Sequence, residues 1–293
     1  MAPRVFYHHP DDKQFSFDFV SPEITAIGER VVNYESHKSV KVEQYELDLP
    51  VYVVYTSSGA SGDADAIEYD LVDRLSSMAP PNGIIATRYV GLFEAILEEN
   101  FEEEGRRVRA YKDVAAEDIE PALNQVNWTG NATEVAGRLA SNLILKHSLP
   151  NANHRTAIGM TEMYLRRIEP EFSLPDTAQK INTDDEYAWM GWVNDYINES
   201  KRLLTVRRKG DRFRYLAQFG CEILVRKHGI EIVLDEYDLS LPASERWRRY
   251  AKQHEELWIA FVEAAVRKSG HEELLDTEGL TKHEFASDLQ KQQ

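Results

Sequence analysis

The ten residues His147-Ser148-Leu149-Pro150-Asn151-Ala152-Asn153-His154-Arg155-Thr156 gather several side chains able to do chemistry within a few positions of one another. The unperturbed pKa of His147 suits proton transfer near neutral pH. Arg155 carries a planar guanidinium that can grip phosphate oxygens in pairs. The amides of Asn151 and Asn153 offer further donors and acceptors. A base across a short loop from an anion cradle is the equipment that phosphoryl-type transfer requires.

Such groups work only if rigid elements hold them. The preceding segment, Thr133 to Lys146, carries Val135, Leu139 and Leu143 four residues apart, with Ala136, Ala140 and Ile144 alongside. This broad apolar stripe at helical spacing predicts a core-facing helix that ends at His147. Pro150 cannot continue a helix, and Asn151 and Asn153 favour turns and N-caps. A second helix is expected from about His154, with Ala157, Thr161, Tyr164, Leu165 and Ile168 on one face. A loop that feeds a helix N-terminus presents unpaired backbone N–H groups and the positive end of the helix dipole, which together favour an anion.

The run resembles the active-site signature of the Fic/Doc (Fido) family, His-x-Phe-x-Asp/Glu-Gly-Asn-Gly-Arg in its Fic form. Ala and Lys replace the two glycines in the Doc form. His147, Asn153 and Arg155 match at the family's spacing, and Ala152 matches the Doc variant. The resemblance implies that His147 is the general base that deprotonates a hydroxyl of a target protein. It also implies that Asn151, Ala152, Asn153, His154 and Arg155 line a site for the phosphates of ATP.

Four positions depart from the signature. Leu149 stands for Phe and keeps an apolar anchor, and Ile158 stands where the longer Fic signature has a second arginine. His154 replaces Gly or Lys, so Doc-like phosphate transfer competes with AMP transfer as the expected reaction. Asn151 replaces the acidic residue that binds magnesium in the family. Losing that negative charge weakens a site for a hard cation such as Mg²⁺, so no metal ligand is assigned. A third reading follows from Asn151 and Ile158: a degenerate family member that binds nucleotide or a partner without catalysis.

Upstream, Tyr89, Leu92, Phe93, Ile96 and Leu97 predict an amphipathic helix running into an acidic turn at Glu98 to Glu104. Gly105 and the strand-like Val108 and Tyr111 follow. The resemblance makes this the flap hairpin that aligns the target segment, with Arg106, Arg107, Val108 and Arg109 as target-binding residues. A short acidic link at Glu117 to Pro121 then leads to the motif helix, in the family's order of parts. Thr25-Ala26-Ile27-Gly28-Glu29-Arg30 is a partial match to the family's inhibitory helix; regulation by a separate, antitoxin-like protein is at least as plausible a reading.

The rest of the 293 residues sets bounds. Alternation over Val40 to Tyr55 predicts strands that change face near Gln44, with Pro50 marking an edge or an interruption. Ser57 to Asp63 reads as a loop, Asp65 to Leu75 as a helix, and Met78 to Gly83 as a break. Helices are expected over Asp184 to Leu204, Arg212 to His228 and Ala243 to Ser269, their aromatic stripes being core. Arg207-Arg208-Lys209 reads as a surface loop, and Leu274 to Gln293 as a fraying tail. His8 and His9 read as an ordinary exposed pair, not a metal site.

One cysteine, Cys221, excludes an internal disulfide and fits a reducing compartment. No apolar run approaches the roughly 20 residues that span a bilayer, and no signal-peptide pattern opens the chain. A cytoplasmic protein that engages no membrane is expected. The net charge of −16 argues against nucleic acid as a partner. The expectation is a mainly α protein: a β-containing segment over 1–64, a Fido-like helical core with a flap hairpin over 65–200, and a helical extension over 201–293.

Overall fold

The computed structural model describes residues 2–34, 39–57, 62–63, 71–105, 107–179 and 188–291. In chain order the elements begin with β1 (Arg4–Phe6), β2 (Ser16–Ser21), α1 (Ile24–Val32), β3 (Val40–Glu46), β4 (Pro50–Thr56) and β5 (Gly62–Asp63). There follow α2 (Leu71–Ser77), α3 (Pro80–Glu104), β6 (Arg109–Ala110), α4 (Ile119–Gln125), α5 (Ala132–Lys146) and α6 (Asn153–Leu165). The last part holds β7 (Ala178–Gln179), β8 (Ala188–Trp189), α7 (Gly191–Ala217), β9 (Ile223–Val225), β10 (Glu231–Val233), α8 (Ala243–Ser269) and α9 (Lys282–Gln290). The protein is mainly helical, as its periodicity predicts.

The chain divides into two units, Met1–Ala60 with Lys201–Lys252, and Ser61–Ser200 with Gln253–Gln293. The expected boundaries at 64 and 200 lie close to these changes. Residues 201–293, however, do not form one extension: the division falls inside α7 and again inside α8.

The first unit contains two small sheets, β1-β9-β10 and β2-β4-β3. The β3–β4 ladder runs unbroken from Val40↔Thr56 to Glu46↔Pro50. No change of face occurs at Gln44; Val42 lies outward at 41% exposure, beside Gln44 and Glu46. Pro50 opens β4, where a strand tolerates the missing N–H. Buried Val51, Val53, Val54 and Tyr55 supply the inner residues of that strand.

In the second unit α5 packs on α6 and α4, and α3 packs on α6 and α9. Several expectations change here. Pro80 and Pro81 do not mark a break but occupy the first turn of α3, where a missing N–H costs nothing. The acidic residues Glu98 to Glu104 continue that helix until Gly105, at φ 65°, stops it. Glu117 to Pro121 forms a 3-10 turn and the start of α4, not a link. The proposed hairpin does not close on itself: β6 pairs with β5, through Gly62↔Ala110 and Asp63↔Arg109. Gly62 and Asp63 are therefore strand, not loop. Of the helix expected from Asp65, residues 65–70 lie outside the described residues.

Downstream, Trp189 belongs to a short strand pair with β7, and residues 184–187 of the helix expected there lie outside the described residues. Arg207-Arg208-Lys209 is no loop but part of α7, which runs on to Ala217. Ile223 and Leu224, expected in a helix, form β9, because their apolar run pairs with β1 and β10. Ala243–Ser269 forms a helix over the predicted span, although Trp247 on its stripe is 43% exposed, with Arg207 stacked 3.9 Å from its ring centre. The tail does not fray. Thr281 and Glu284 form a capping box, and Phe285, Ala286 and Leu289 bury α9 against α3. Among the described residues no helix is long and apolar enough to cross a membrane.

Candidate active site

The motif helix α5 starts at a capping box: Asn131 Oδ1 accepts from Glu134 N (2.8 Å), and Glu134 Oε2 accepts from Asn131 N (3.2 Å). Both sequon asparagines thus have local roles, since Asn127 Oδ1 accepts from Thr129 N at 3.2 Å. Val135, Ala136, Leu139, Ala140, Leu143 and Ile144 are all buried, as the stripe predicts. Gly137 lets α5 approach α8 closely; a Cβ there would sit 2.5 Å from Ile259 Cα. The helix ends at His147, whose backbone is left-handed at φ 54°.

The loop from His147 to Ala152 is tied down on two sides. Ser148 O accepts from Ala115 N (2.8 Å), Pro150 O accepts from Tyr111 N (3.3 Å), and His147 O accepts from Lys112 Nζ. From within, Asn153 Oδ1 accepts from Leu149 N (3.0 Å), and Asn153 Nδ2 donates to Leu149 O (2.9 Å) and Asn151 O (3.3 Å). Leu149 itself is 1% exposed and anchors the loop in the core, as its apolar character predicts. Tyr89, buried against Ser148, has its hydroxyl pKa pushed up by burial, which the Ser148 hydroxyl partly opposes.

Ala152, also left-handed at φ 53°, precedes α6, whose first internal bond is Thr156 N to Ala152 O (2.9 Å). The N-cap position is Ala152, which has no side chain to cap with, so the N-cap role expected of Asn151 or Asn153 is not filled. His147 and the opening turn of α6 therefore stand at the two ends of one short loop. The chain belongs to a family of unknown function. That family is DUF8172, and its model matches residues 1–293. No curated protein and no solved structure matches the chain.

The loop brings His147 and Asn151 to Arg155 together, but not all as free ligands. Arg155 Nη1 donates to Asn100 Oδ1 (3.2 Å) and Nη2 to Ile96 O (3.3 Å), so its guanidinium is steered by the end of α3. Asn153 is 2% exposed and its amide serves the loop. Asn151 Oδ1 accepts from Ala152 N at 2.6 Å. A neutral oxygen already committed to a backbone N–H does not fit a hard divalent cation, and no step is assigned to one. Arg107 lies 5.5 Å from the Phe101 ring centre, and Val108 is half-buried outside β6. Arg106 and the Arg109 side chain lie outside the described residues.

His154 turns inward. Its Nε2 meets Ser200 Oγ (2.9 Å), Ser200 Oγ meets His254 Nε2 (2.8 Å), and His254 Nδ1 meets Ser141 Oγ (2.8 Å). Trp258 Nε1 also donates to His254 Nε2 (3.2 Å), which makes that nitrogen the acceptor and puts the His254 proton on Nδ1. Ser200 then donates to His254 and accepts from His154. Ser141, Ser200 and His254 are all fully buried.

Sequence reasoning missed this chain, and missed Tyr111, whose ring centre lies 6.0 Å from that of His147. The readable signal was polar residues on apolar faces: Ser141 within the α5 stripe, and His254 one turn before Trp258.

His8 and His9 are not an exposed pair; His9 is 4% exposed. His9, Asp11 and Glu43 bring possible ligand atoms within 4.8 Å of one another. His9 Nδ1 accepts from Asp11 N (3.2 Å), which leaves the ring proton on Nε2, facing Glu43 at 2.8 Å. In that arrangement Nε2 donates to Glu43.

Proposed function

We infer that this chain is a Fic/Doc-like transferase that moves AMP from ATP to a Ser, Thr or Tyr hydroxyl of a target protein. The observation that carries the reading is the short loop joining His147 to the N-terminus of α6, fixed by left-handed residues at both 147 and 152. His147 takes the proton of the target hydroxyl. The oxygen attacks the α-phosphorus as the bond to the β-phosphate breaks, and pyrophosphate leaves. The first-turn N–H groups of α6 and the Arg155 guanidinium stabilise the phosphate charge. The segment from β6 to Lys112, hydrogen-bonded to the loop at Pro150 and His147, is where the target hydroxyl would be presented. A separate inhibitory protein is the expected regulator.

A second reading is favoured by Asn151 and by the enclosed amide of Asn153: nucleotide binding without transfer. Intact-mass analysis of candidate targets, and of the protein itself, after incubation with ATP separates the two. An AMP adduct that disappears in His147→Ala supports transfer, whereas a phosphate adduct selects the Doc-like reaction. ATP binding with no adduct across a cell extract selects the second reading, and no ATP binding at all sinks both.

A further inference from the structure

In the first unit, three cationic side chains from α1 and α7 share a single carboxylate of β2. That carboxylate is Asp18, the extra residue of a bulge in β2 between the pairs Phe17↔Tyr55 and Phe19↔Val54. Its Oδ1 accepts from Arg212 Nη1 (2.9 Å) and lies 3.6 Å from Lys209 Nζ. Its Oδ2 accepts from Arg30 Nη2 (3.2 Å) and from the Tyr34 hydroxyl. Arg30 is fixed further by its Nε, which donates to the Tyr34 hydroxyl (3.1 Å), and by the Tyr34 ring centre 4.8 Å from its Cζ. Lys209 and Arg212 stand three residues apart on α7, so they reach the same carboxylate.

One carboxylate cancels only one of the three charges. The neighbouring acid on α7, Asp211, is spent on Arg246, which holds its two oxygens at 2.9 and 2.7 Å. Three cations against one carboxylate leave an excess of two positive charges, in a chain of net charge −16. Lys209 registers that excess. An ion-paired lysine ordinarily holds its proton more tightly, yet burial and the adjacent Arg212 outweigh Asp18 and take its pKa from 10.5 down to about 8. Lys209 is still charged at neutral pH. Burial pushes the Asp18 carboxyl the other way, upward, but Tyr34 and the three cations override it and hold its pKa down to about 2. Donors are left over as well. Among the described residues Arg212 Nε and Nη2 and Arg30 Nη1 have no hydrogen-bond partner, and none of the three is buried. The Asp18 side chain is 17% exposed, whereas those of Arg30, Arg212 and Lys209 are 41%, 32% and 25% exposed. The carboxylate lies beneath, and the cations face the solvent.

We propose that Arg30, Lys209 and Arg212 form a binding site for a phosphate group, with Asp18 as the scaffold that holds the three together. The edge formed by Nε and Nη2 of Arg212 matches two phosphate oxygens, and Lys209 and Arg30 Nη1 meet the others. A doubly charged anion cancels the excess, half of which a single carboxylate would leave unmet. Repulsion from the rest of the acidic chain opposes a polyanion such as nucleic acid, so the phosphate belongs to a small molecule. The site does not depend on the reading of the His147 loop, since its residues all belong to the other unit.

The test is titration of the full chain with inorganic phosphate at fixed pH and ionic strength, read by calorimetry and by the Nε–H NMR signal of Arg212. Phenyl phosphate and acetate serve as further probes. Saturable binding with a Kd of about 1 mM or below, accompanied by a shift of the Arg212 signal, is the expected result. Arg30→Gln/Lys209→Gln should raise that Kd by about tenfold or more, as the loss of charge-assisted contacts does. Arg212→Gln should weaken binding further; if it fails to fold, the double variant still decides. Tighter binding of phenyl phosphate than of phosphate identifies a phosphomonoester ligand, and the reverse identifies the free anion. Acetate bound as tightly as phosphate, an unmoved Arg212 signal, or a Kd unaltered in the double variant would each overturn the proposal. So would the lack of saturation at about 10 mM phosphate.

Discussion

At the His147 loop most of the polar side chains are occupied within the chain. Asn153 closes on Leu149, Arg155 on the end of α3, and His154 on Ser200. At the end of the β1-β9-β10 sheet His8 Nε2 is buried with no hydrogen-bond partner among the described residues, and burial together with Arg226, Lys227 and Lys13 lowers the pKa of its ring. The difference separates a loop whose shape its side chains fix from a buried group whose protonation its surroundings fix. Substitutions should therefore damage stability at the loop and change the pH dependence of stability at His8.

The largest expected effect belongs to His147. Replacing it with Ala should lower AMP transfer by about 10² to 10⁴-fold, the usual contribution of a general base. The fold should persist, because the bond from Lys112 to the His147 carbonyl is a backbone contact that Ala keeps. Transfer at the wild-type rate in His147→Ala would remove it as the base.

Asn153→Ala tests the other half of the loop. It strips partners from Leu149 N and O, both in a buried setting, and each such loss costs about 1–3 kcal/mol. A loss of about 3 kcal/mol in urea denaturation is expected. A change under about 1 kcal/mol would mean that the amide does not shape the loop.

How much of this could be read from sequence depended on whether the deciding contacts were local. The α5 stripe, its stop at His147 and the span of α8 follow from residues three and four apart, and each was legible. Leu149 was legible as an anchor from its apolar type, at the place where the signature has Phe. Pro80 and Pro81 misled because proline marks a helix start as readily as a break. Ile223 and Leu224 carried no mark of strand or helix until β1 and β10 flanked them. The destinations of Arg155 and His154 lie 55 and 46 residues away, at Asn100 and Ser200, so matching the motif showed their types but not their engagements. The setting of His8 is similarly non-local, assembled from residues more than 200 positions apart.

Acid titration sharpens the comparison from the side of His8. His8 falls from an ordinary 6.5 to about 2 in the folded protein, so below pH 6.5 the unfolded chain binds the proton first. Stability should then drop as pH falls through the window from 6.5 toward 2, by about 1.4 kcal/mol per pH unit once the unfolded histidine is fully charged. His228, at about 4, contributes in the same direction between 6.5 and 4. His8→Gln should flatten the fall measured between pH 6 and pH 4.5. An equal slope in the variant would show that its surroundings do not hold His8 neutral.

The smallest effect concerns backbone strain at the loop. Ala152 adopts φ 53°, a left-handed conformation that costs a non-glycine residue about 1 kcal/mol. The Fic form of the signature has glycine at this place, which is free of that strain. Glycine also gives up more freedom on folding, by roughly 0.5–1 kcal/mol, which offsets most of the relief. Ala152→Gly should therefore alter stability by no more than about 0.5 kcal/mol, with the sign favouring glycine. Ala152→Val, β-branched in the same conformation, should lose roughly 1–2 kcal/mol. Thermal melting of the pair decides it: a glycine variant less stable than the valine one would mean that the left-handed turn at 152 is not what joins His147 to α6.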